Sequence, residues 1–334
     1  MKLLYLSCHS VLEYDEVKLF NEMGIDVFSH GVYANPLVPA DIKRPAIEGK
    51  FDHHLVYLSY RYGKEKLPRE FIEPFDVILV QHVPDWIINN WEVMKDKKVV
   101  WRSIGQSTID IERILMQARR EGLKVVRYSP RERTIPGFIG EDTVIRFYKD
   151  PADFGPYTGD KEQVITVGQS FKQRNDFCNY DVWDQATKDF PRKVAGSENE
   201  PLGKEWIGCV DYRKLCEFMR ESRVYFYTGT YPASYTLNFI EAWMTGIPVV
   251  AIGPKLGNSP YELGQQTYEI PDLIEHQVDG FYSDDITELR ANVEYLLDHP
   301  ENAKLVGENG REKAIKIFGK ETIKKQWKEF FDGL

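Results

Sequence analysis

Short apolar runs alternate with helical patterns from the start of this 334-residue chain. Leu3–Leu6 and Asp26–Ser29 have the length and composition of strands. The residues between them, from about Glu13 to Met23, have helical spacing and stop at Gly24. The same order returns further along the chain. Three more strands are predicted at 76–80, 98–101 and 124–128, and a helix at 110–121 precedes the last of them. Strands that alternate with helices form βαβ units, so the pattern predicts a mainly parallel sheet with helices on both faces.

The alternation restarts after a stretch rich in Pro and Gly between Asp150 and Asp160, which we interpret as a linker. Apolar runs then predict five strands, at 163–167, 192–195, 206–210, 223–227 and 248–252. Helical spacing predicts four helices, at 236–245, 285–297, 300–317 and 320–331. A chain of this length favours two domains, so we expect two successive α/β units.

Composition excludes several classes of protein. Lys and Arg number 43 against 52 Asp and Glu, for a net charge of −9, and residues 1–150 carry equal numbers of each sign. Such a field repels phosphate backbones, so a nucleic-acid partner is not expected and any nucleotide must be held locally.

The four cysteines lack the spacing of a zinc site or a disulfide framework, which fits a reducing cytoplasm. No apolar window has the length of a membrane span, so we expect a soluble or peripheral protein.

Tyr227–Gly253 is the strongest candidate for a binding site. It is predicted to form a strand, a loop of small residues, a helix and a buried strand in succession. Small residues let the backbone approach a ligand, and a helix N-terminus attracts anions. Ser234 or Thr236 is expected to cap this helix. The amides that would then face a phosphate belong to Thr236, Leu237 and Asn238. Glu241, further along, is placed to accept hydrogen bonds from two ribose hydroxyls. An ordinary strand-to-helix turn is the alternative.

The same segment resembles the signature of the retaining GT-B glycosyltransferases of family 4, a Glu-x7-Glu motif followed by Ala-x-x-x-Gly-x-Pro-Val-Val-Ala. Residues Glu241 to Ala251 match its second half. The family's first Glu, which contacts hydroxyls of the transferred sugar, is replaced by Ala233. The resemblance therefore includes Glu241, the residue for the ribose contact, and lacks one carboxylate that contacts the transferred sugar.

Other motifs resemble the family in the family's order across the second half of the chain. Ile165–Gly168 with Lys172 and Arg174 is similar to a strand, a glycine and a basic pair that neutralises the donor diphosphate. The resemblance implies catalytic roles for Lys172, Arg174 and Glu241. It implies donor-binding roles for Gly168, Gly208, Cys209, Val210, Ser234, Tyr235, Thr236, Leu237, Asn238 and Glu241. Further positions in family order are Lys193–Gly196, Gly257, Glu262, Asp279–Phe281 and the tail from Gly307 to Phe331.

The N-terminal half is similar to the family in architecture more than in motif. Family members often carry a His after the strand that corresponds to Val99–Trp101, and this chain has none there. The candidates on the acceptor and sugar side are His9, His82, Arg102, Ser103 and Gln106. A structural His82, and a surface Arg102 beside a buried Ser103, are the alternatives for three of them.

The resemblance implies a GT-B fold of two Rossmann-like doubly wound domains facing each other across a cleft. An acceptor-side domain at 1–155, a nucleotide-sugar domain at 160–316 and a helix at 317–334 that crosses back are expected. The implied activity is retaining transfer of a sugar from a UDP- or GDP-sugar to a hydroxyl of a glycan, lipid or other biomolecule. We expect no cofactor and no metal, since no D-x-D motif stands between a strand and a loop.

Ala233 leaves open a protein of another class, a catalytically weak GT-B protein that binds a nucleotide sugar without transferring it. A sugar-nucleotide 2-epimerase and glycosylation of modified DNA are further alternatives. A peripheral membrane contact through local basic patches also stays open.

Overall fold

The structure is a computed structural model that describes residues 1–31, 50–51, 66–258 and 265–334, with the backbone alone at 50–51. Its chain forms two compact units, Met1–Phe147 with Ile323–Leu334, and Tyr148–Thr322. Each unit contains one sheet whose described strand pairs are all parallel. Within the described residues, every helix is too short or too polar to span a lipid bilayer.

The first unit contains a seven-stranded sheet in the order β3-β2-β1-β4-β5-β6-β7. Its strands are β1 (Lys2–Leu6), β2 (Asp26–His30), β3 (Lys50–Phe51), β4 (Val77–Gln81), β5 (Lys98–Arg102), β6 (Lys124–Arg127) and β7 (Thr143–Val144). Its helices include α1 (Ser10–Glu22), α2 (Arg69–Ile72), α3 (Pro84–Met94) and α4 (Ile109–Arg120). The strand order reverses between β1 and β4. In open α/β sheets, ligands bind outside the carboxyl ends of the strands at such a switch point.

The core of the first unit lies on both sides of this sheet, as the apolar runs require. All five residues of β4 are buried, which is typical of a parallel strand covered on both faces. The final residues of the chain belong to this core, because Trp327 is fully buried with its ring centroid 5.1 Å from that of Phe20.

The second unit contains a five-stranded sheet in the order β12-β11-β10-β8-β9, with its switch point between β8 and β10. Its strands are β8 (Lys161–Val167), β9 (Arg192–Ala195), β10 (Ser222–Tyr227), β11 (Val249–Ile252) and β12 (Phe281–Ser283). Its helices are α5 (Asn175–Cys178), α6 (Tyr180–Thr187), α7 (Tyr212–Glu221), α8 (Leu237–Thr245), α9 (Pro254–Gly257), α10 (Ile270–Leu273), α11 (Ile286–Asp298) and α12 (Pro300–Phe318). The last helix, α13 (Lys320–Asp332), starts in the second unit, and its residues from Ile323 belong to the first.

Two glycines let α12 pack closely on α8, the helix of the predicted donor site. A Cβ added to Gly307 would lie 1.9 Å from the carbonyl oxygen of Gly246, and one on Gly310 would lie 2.6 Å from Nε1 of Trp243. Gly246 ends α8 in the left-handed conformation, with φ of 85°. The position of α8 therefore depends on residues that carry no side chain.

One predicted strand does not form. Trp206–Val210 makes only an isolated parallel bridge between Trp206 and Val194, and Gly208 has φ of 91°, outside the range of a strand. The apolar run is nevertheless tied to the sheet, because the amide of Ile207 donates to the carbonyl of Val194 at 3.0 Å. The other predicted strands and helices are confirmed, with ends that differ by at most three residues.

Candidate functional site

The loops after β8, β9 and β10 meet at one edge of the second sheet, because parallel strands end on the same side. β8 and β10 are hydrogen-bonded neighbours at the switch point, so their loops flank the position where this fold class binds ligands. These two loops carry residues 168–174 and 228–236.

Three of the glycines predicted from sequence lie together at this edge. The amide of Gly196 donates to the carbonyl of Gly208 at 3.1 Å. Gly196 has φ of 127°, and a Cβ there would lie 2.2 Å from the carbonyl oxygen of Gly168. Asn199, which the sequence analysis missed, donates from Nδ2 to that oxygen at 2.6 Å. The half-buried residues Cys209 and Val210 follow directly, so the predicted nucleobase side adjoins the loop after β8.

Within the part of the chain that the structure describes, no side chain caps the start of α8. Thr236 occupies the N-cap position, but no side-chain cap bond forms there, so the prediction that Ser234 or Thr236 caps the helix is wrong. The Thr236 hydroxyl instead contacts the hydroxyl of Tyr227 at 3.2 Å and the amide oxygen of Asn238, while Ser234 is buried in the preceding loop. The first N–H groups of a helix have no partner within the helix, so those of α8 stay available to a ligand.

The first turn of α8 is fixed directly to the end of β8. Asn238 donates from Nδ2 to the carbonyl of Val167 at 3.0 Å, and the amide of Thr236 donates to the Tyr227 hydroxyl at 3.1 Å. Asn238 thereby places the uncapped helix start beside the loop that carries the basic pair.

Lys172 and Arg174 lie on the loop after β8. Lys172 is exposed, with Nζ 5.6 Å from the centroid of the Tyr180 ring, and Arg174 is half-buried at the start of α5. Neither side chain forms an ion pair with any residue that the structure describes. Two unneutralised cations at this edge match what a diphosphate requires.

The loop after β10 lies close to Arg174. Burial raises the pKa of the Cys178 thiol, while the positive charge of Arg174 and a hydrogen bond with Thr230 oppose that rise. The amide of Tyr231 donates to the carbonyl of Phe177 at 2.8 Å. The structure therefore brings Arg174 and the small-residue loop together.

Glu241 lies in the second turn of α8 and is buried. Its Oε1 is 2.9 Å from Nζ of Lys149, a residue that the sequence analysis missed because no local motif surrounds it. Ala233, in place of the family's first Glu, lies in a turn where its amide donates to the carbonyl of Thr230 at 2.7 Å.

Two further residues expected in the donor site, and one position named only for its place in the family order, remain to be located. Tyr235 is buried, with its ring 5.3 Å from that of Phe318, whereas Leu237 is half-buried at the start of α8. Glu262 lies outside the described residues.

In the first unit, His9 and His82 lie at the switch point, after β1 and β4. Gln81 connects the two loops, because its Oε1 accepts from the amide of His9 at 3.1 Å. His9 caps α1, its Nδ1 accepting from the Leu12 amide at 3.4 Å. His82 has a left-handed φ of 55°, and its buried Nδ1 has no hydrogen-bond partner among the described residues. Burial, aided by the positive charge of Arg127, lowers the pKa of His82 to about 4, so its ring is neutral near pH 7.

The other first-unit candidates divide into two buried residues and one exposed residue. Arg102 is fully buried, and its Nε donates to Glu16 at 3.0 Å, so the alternative of a surface arginine is wrong. Ser103 is also buried and donates to Glu132 at 2.6 Å. Gln106 is exposed. Arg102 and Ser103, at the end of β5, are therefore engaged with buried carboxylates. Gln106 is the one of the three that faces solvent.

Comparison with known proteins agrees with this geometry. Residues 180–327 match the family model described as glycosyl transferase-like. No curated protein sequence matches the chain significantly. The family match lies almost entirely in the second unit, where the predicted donor residues lie.

Solved structures resemble the whole chain. Sucrose-phosphate synthase from Thermosynechococcus elongatus superposes with a TM-score of 0.72 at 14% identity, covering 100% of this chain and 98% of that chain. The HepE protein of Anabaena in complex with UDP-glucose gives 0.70 at 15% identity, covering all of both chains. A glycosyltransferase from Rickettsia africae gives 0.67 at 13% identity, covering 99% of this chain and 98% of that chain.

At such identities the superpositions show the fold, and the family match shows the kind of domain that the second unit carries. The predicted GT-B architecture is thereby confirmed, with two α/β units each built on a parallel sheet. Residues 180–327 thus match a glycosyl transferase-like family model, and the whole chain has the GT-B fold.

Proposed function

We propose that the protein transfers a sugar from a UDP-sugar, bound at the carboxyl edge of the second sheet, to a hydroxyl of a glycan, lipid or other biomolecule. The observation that carries this proposal is the uncapped start of α8 beside two cations, Lys172 and Arg174, that have no ion-pair partner among the described residues. Both features attract a diphosphate, and both lie at the switch point of the sheet.

Uridine is favoured as the base by the structural neighbours. HepE of Anabaena, which superposes over the whole chain, has been solved with UDP, with UDP and glucose, and with UDP-glucose. In this chain the base would lie by Gly208, Cys209 and Val210, and the ribose by Glu241.

The proposed chemistry requires charge stabilisation at the leaving group and no nucleophile from the protein. The bond between the anomeric carbon and the diphosphate breaks, and a bond from the acceptor oxygen forms on the same face of the sugar. The hydroxyl proton passes to an oxygen of the departing diphosphate, whose charge Lys172, Arg174 and the amides of Leu237 and Asn238 stabilise. The transfer therefore retains configuration and proceeds without a metal, as in family 4, and we place it in the cytoplasm.

The first test is calorimetric titration of the protein with UDP, GDP and ADP in the presence of EDTA. We expect UDP to bind, and Arg174→Ala to weaken it by about tenfold or more, because a charge-assisted contact is lost. Lys188→Ala, which removes an exposed charge elsewhere in the same unit, should leave the affinity unchanged. If no nucleotide binds, or if both variants behave alike, the donor site is wrongly placed.

A second function, binding of the nucleotide sugar without transfer, is favoured by one observation, the alanine at 233 where the family has a carboxylate. Release of free UDP from UDP-glucose by the purified protein, with or without an acceptor, would decide for the enzyme. Tight binding with no release, together with release by Ala233→Glu, would decide for the binding protein.

A further inference from the structure

Lys149 forms a buried ion pair with Glu241, the carboxylate that the proposed function assigns to the ribose. The two side chains are 2% and 7% exposed, and Nζ lies 2.9 Å from Oε1. Taking two charges out of water is costly, and only their close pairing offsets the cost. Lys149 therefore supplies a counter-charge to the buried Glu241 carboxylate.

The main chain fixes the position of Lys149. Its amide donates to the carbonyl of Phe318 at 3.0 Å, and the residue forms a parallel bridge with Gly319. The next residue, Asp150, is ion-paired with Lys320 at 2.7 Å. This segment is therefore attached to the junction of α12 and α13 by a backbone bridge and by an ion pair.

The side chain of Lys149 is confined as well. Its ammonium group lies 5.8 Å from the ring centroid of Tyr212, the first residue of α7, and pairs with Glu241 on α8. An ammonium held between two helices restricts the carboxylate to few orientations.

We propose that Lys149 is a positioning residue that holds the Glu241 carboxylate in the orientation in which it accepts hydrogen bonds from the ribose hydroxyls. This inference rests on the proposed donor site and adds a specificity to it, the preference for a ribonucleotide over a deoxyribonucleotide. A carboxylate held in one orientation forms strong hydrogen bonds with the ribose hydroxyls, which favours the ribonucleotide. Without Lys149 the carboxylate can turn, and this preference is lost.

The test compares the binding of UDP and 2′,3′-dideoxy-UDP by calorimetry. In the wild type we expect UDP to bind at least about tenfold more tightly than the dideoxy compound. Lys149→Met should weaken UDP binding by about tenfold and change dideoxy-UDP binding by less than about twofold. Lys149→Arg, which keeps the charge, should restore part of the preference.

Two further variants separate positioning from stability. Lys320→Met removes the neighbouring ion pair with Asp150 and keeps the Lys149–Glu241 pair, so it should leave the preference for UDP intact. In a Glu241→Gln background, Lys149→Met should have no further effect on UDP affinity, since Lys149 acts through that carboxylate. This double variant keeps the test usable if Lys149→Met alone fails to fold.

The inference is overturned if Lys149→Met weakens both nucleotides equally, if it leaves UDP affinity unchanged, or if Lys320→Met has the same effect. A wild-type protein that binds neither nucleotide contradicts the proposed function itself. The two failures are therefore distinguishable in one set of titrations.

Discussion

His82 combines three uncommon properties: a left-handed backbone, a buried Nδ1 without a hydrogen-bond partner among the described residues, and a pKa of about 4. Such a ring is costly to protonate in the folded protein. The unfolded chain protonates it near pH 6.5, so between about pH 4 and 6.5 the unfolded state binds more protons than the folded state. The free energy of unfolding therefore falls as the pH is lowered through this range.

We expect His82→Asn to flatten that dependence, because asparagine tolerates the left-handed φ and does not titrate. Between pH 7 and pH 4 the variant should lose less stability than the wild type, by at most about 3 kcal/mol. Urea titrations at several pH values measure the difference, and the offset above pH 7, where His82 is neutral in both the folded and the unfolded state, provides the baseline. Parallel pH profiles for the two proteins would show that His82 is not the titrating group.

At the scale of elements, the close packing of α8 on α12 fixes the position of the helix that carries the predicted donor-site residues. Gly307 faces the carbonyl of Gly246 so closely that any side chain there must displace one helix. The helix that would move carries Glu241 and the amides assigned to the diphosphate.

Gly307→Ala should destabilise the second unit by about 1–3 kcal/mol and weaken UDP binding. Urea denaturation and calorimetry report the two effects. Lys304→Ala, at an exposed position of the same helix, should change stability by less than about 0.5 kcal/mol. A Gly307→Ala protein as stable as the Lys304→Ala protein would mean that the two helices do not meet as described.

The elements also show where local patterns suffice. Strands such as β4 and β9 were predicted because apolar runs bounded by turn residues have few other structures available. The apolar run at 206–210 was wrongly predicted as a strand, because Gly208 turns the chain there and its carbonyl is used by Gly196. Local apolarity measures burial, and it does not show whether a buried segment pairs over its whole length.

At the scale of the whole molecule, the chain leaves the first unit after Phe147 and contributes to it again from Ile323. Trp327 is fully buried in that unit, between the ring of Phe20 at 5.1 Å and the guanidinium of Arg102 at 5.3 Å. The first unit therefore depends on residues that are separated from the rest of it in sequence by the whole second unit.

Trp327→Ala should destabilise the first unit by about 3–5 kcal/mol, because it opens a cavity the size of an indole in a packed core. Limited proteolysis is expected to cleave the first unit sooner, while UDP binding by the second unit persists. Trp206→Ala, at a half-buried site in the second unit, is the comparison. Equal protease resistance of the wild type and Trp327→Ala would contradict a role for the last helix in the first core.

The sequence by itself determined the α/β class, the order of most strands and helices, and the resemblance carried by Glu241 to Ala251. These are properties of neighbouring residues, whose spacing decides which backbone forms and which face is buried. Tertiary structure alone decided that Lys149 is the partner of Glu241, that Asn199 holds Gly168, and that Arg102 is buried in an ion pair. Those contacts join residues far apart in the chain, and their energies depend on distance and burial, which no local pattern encodes.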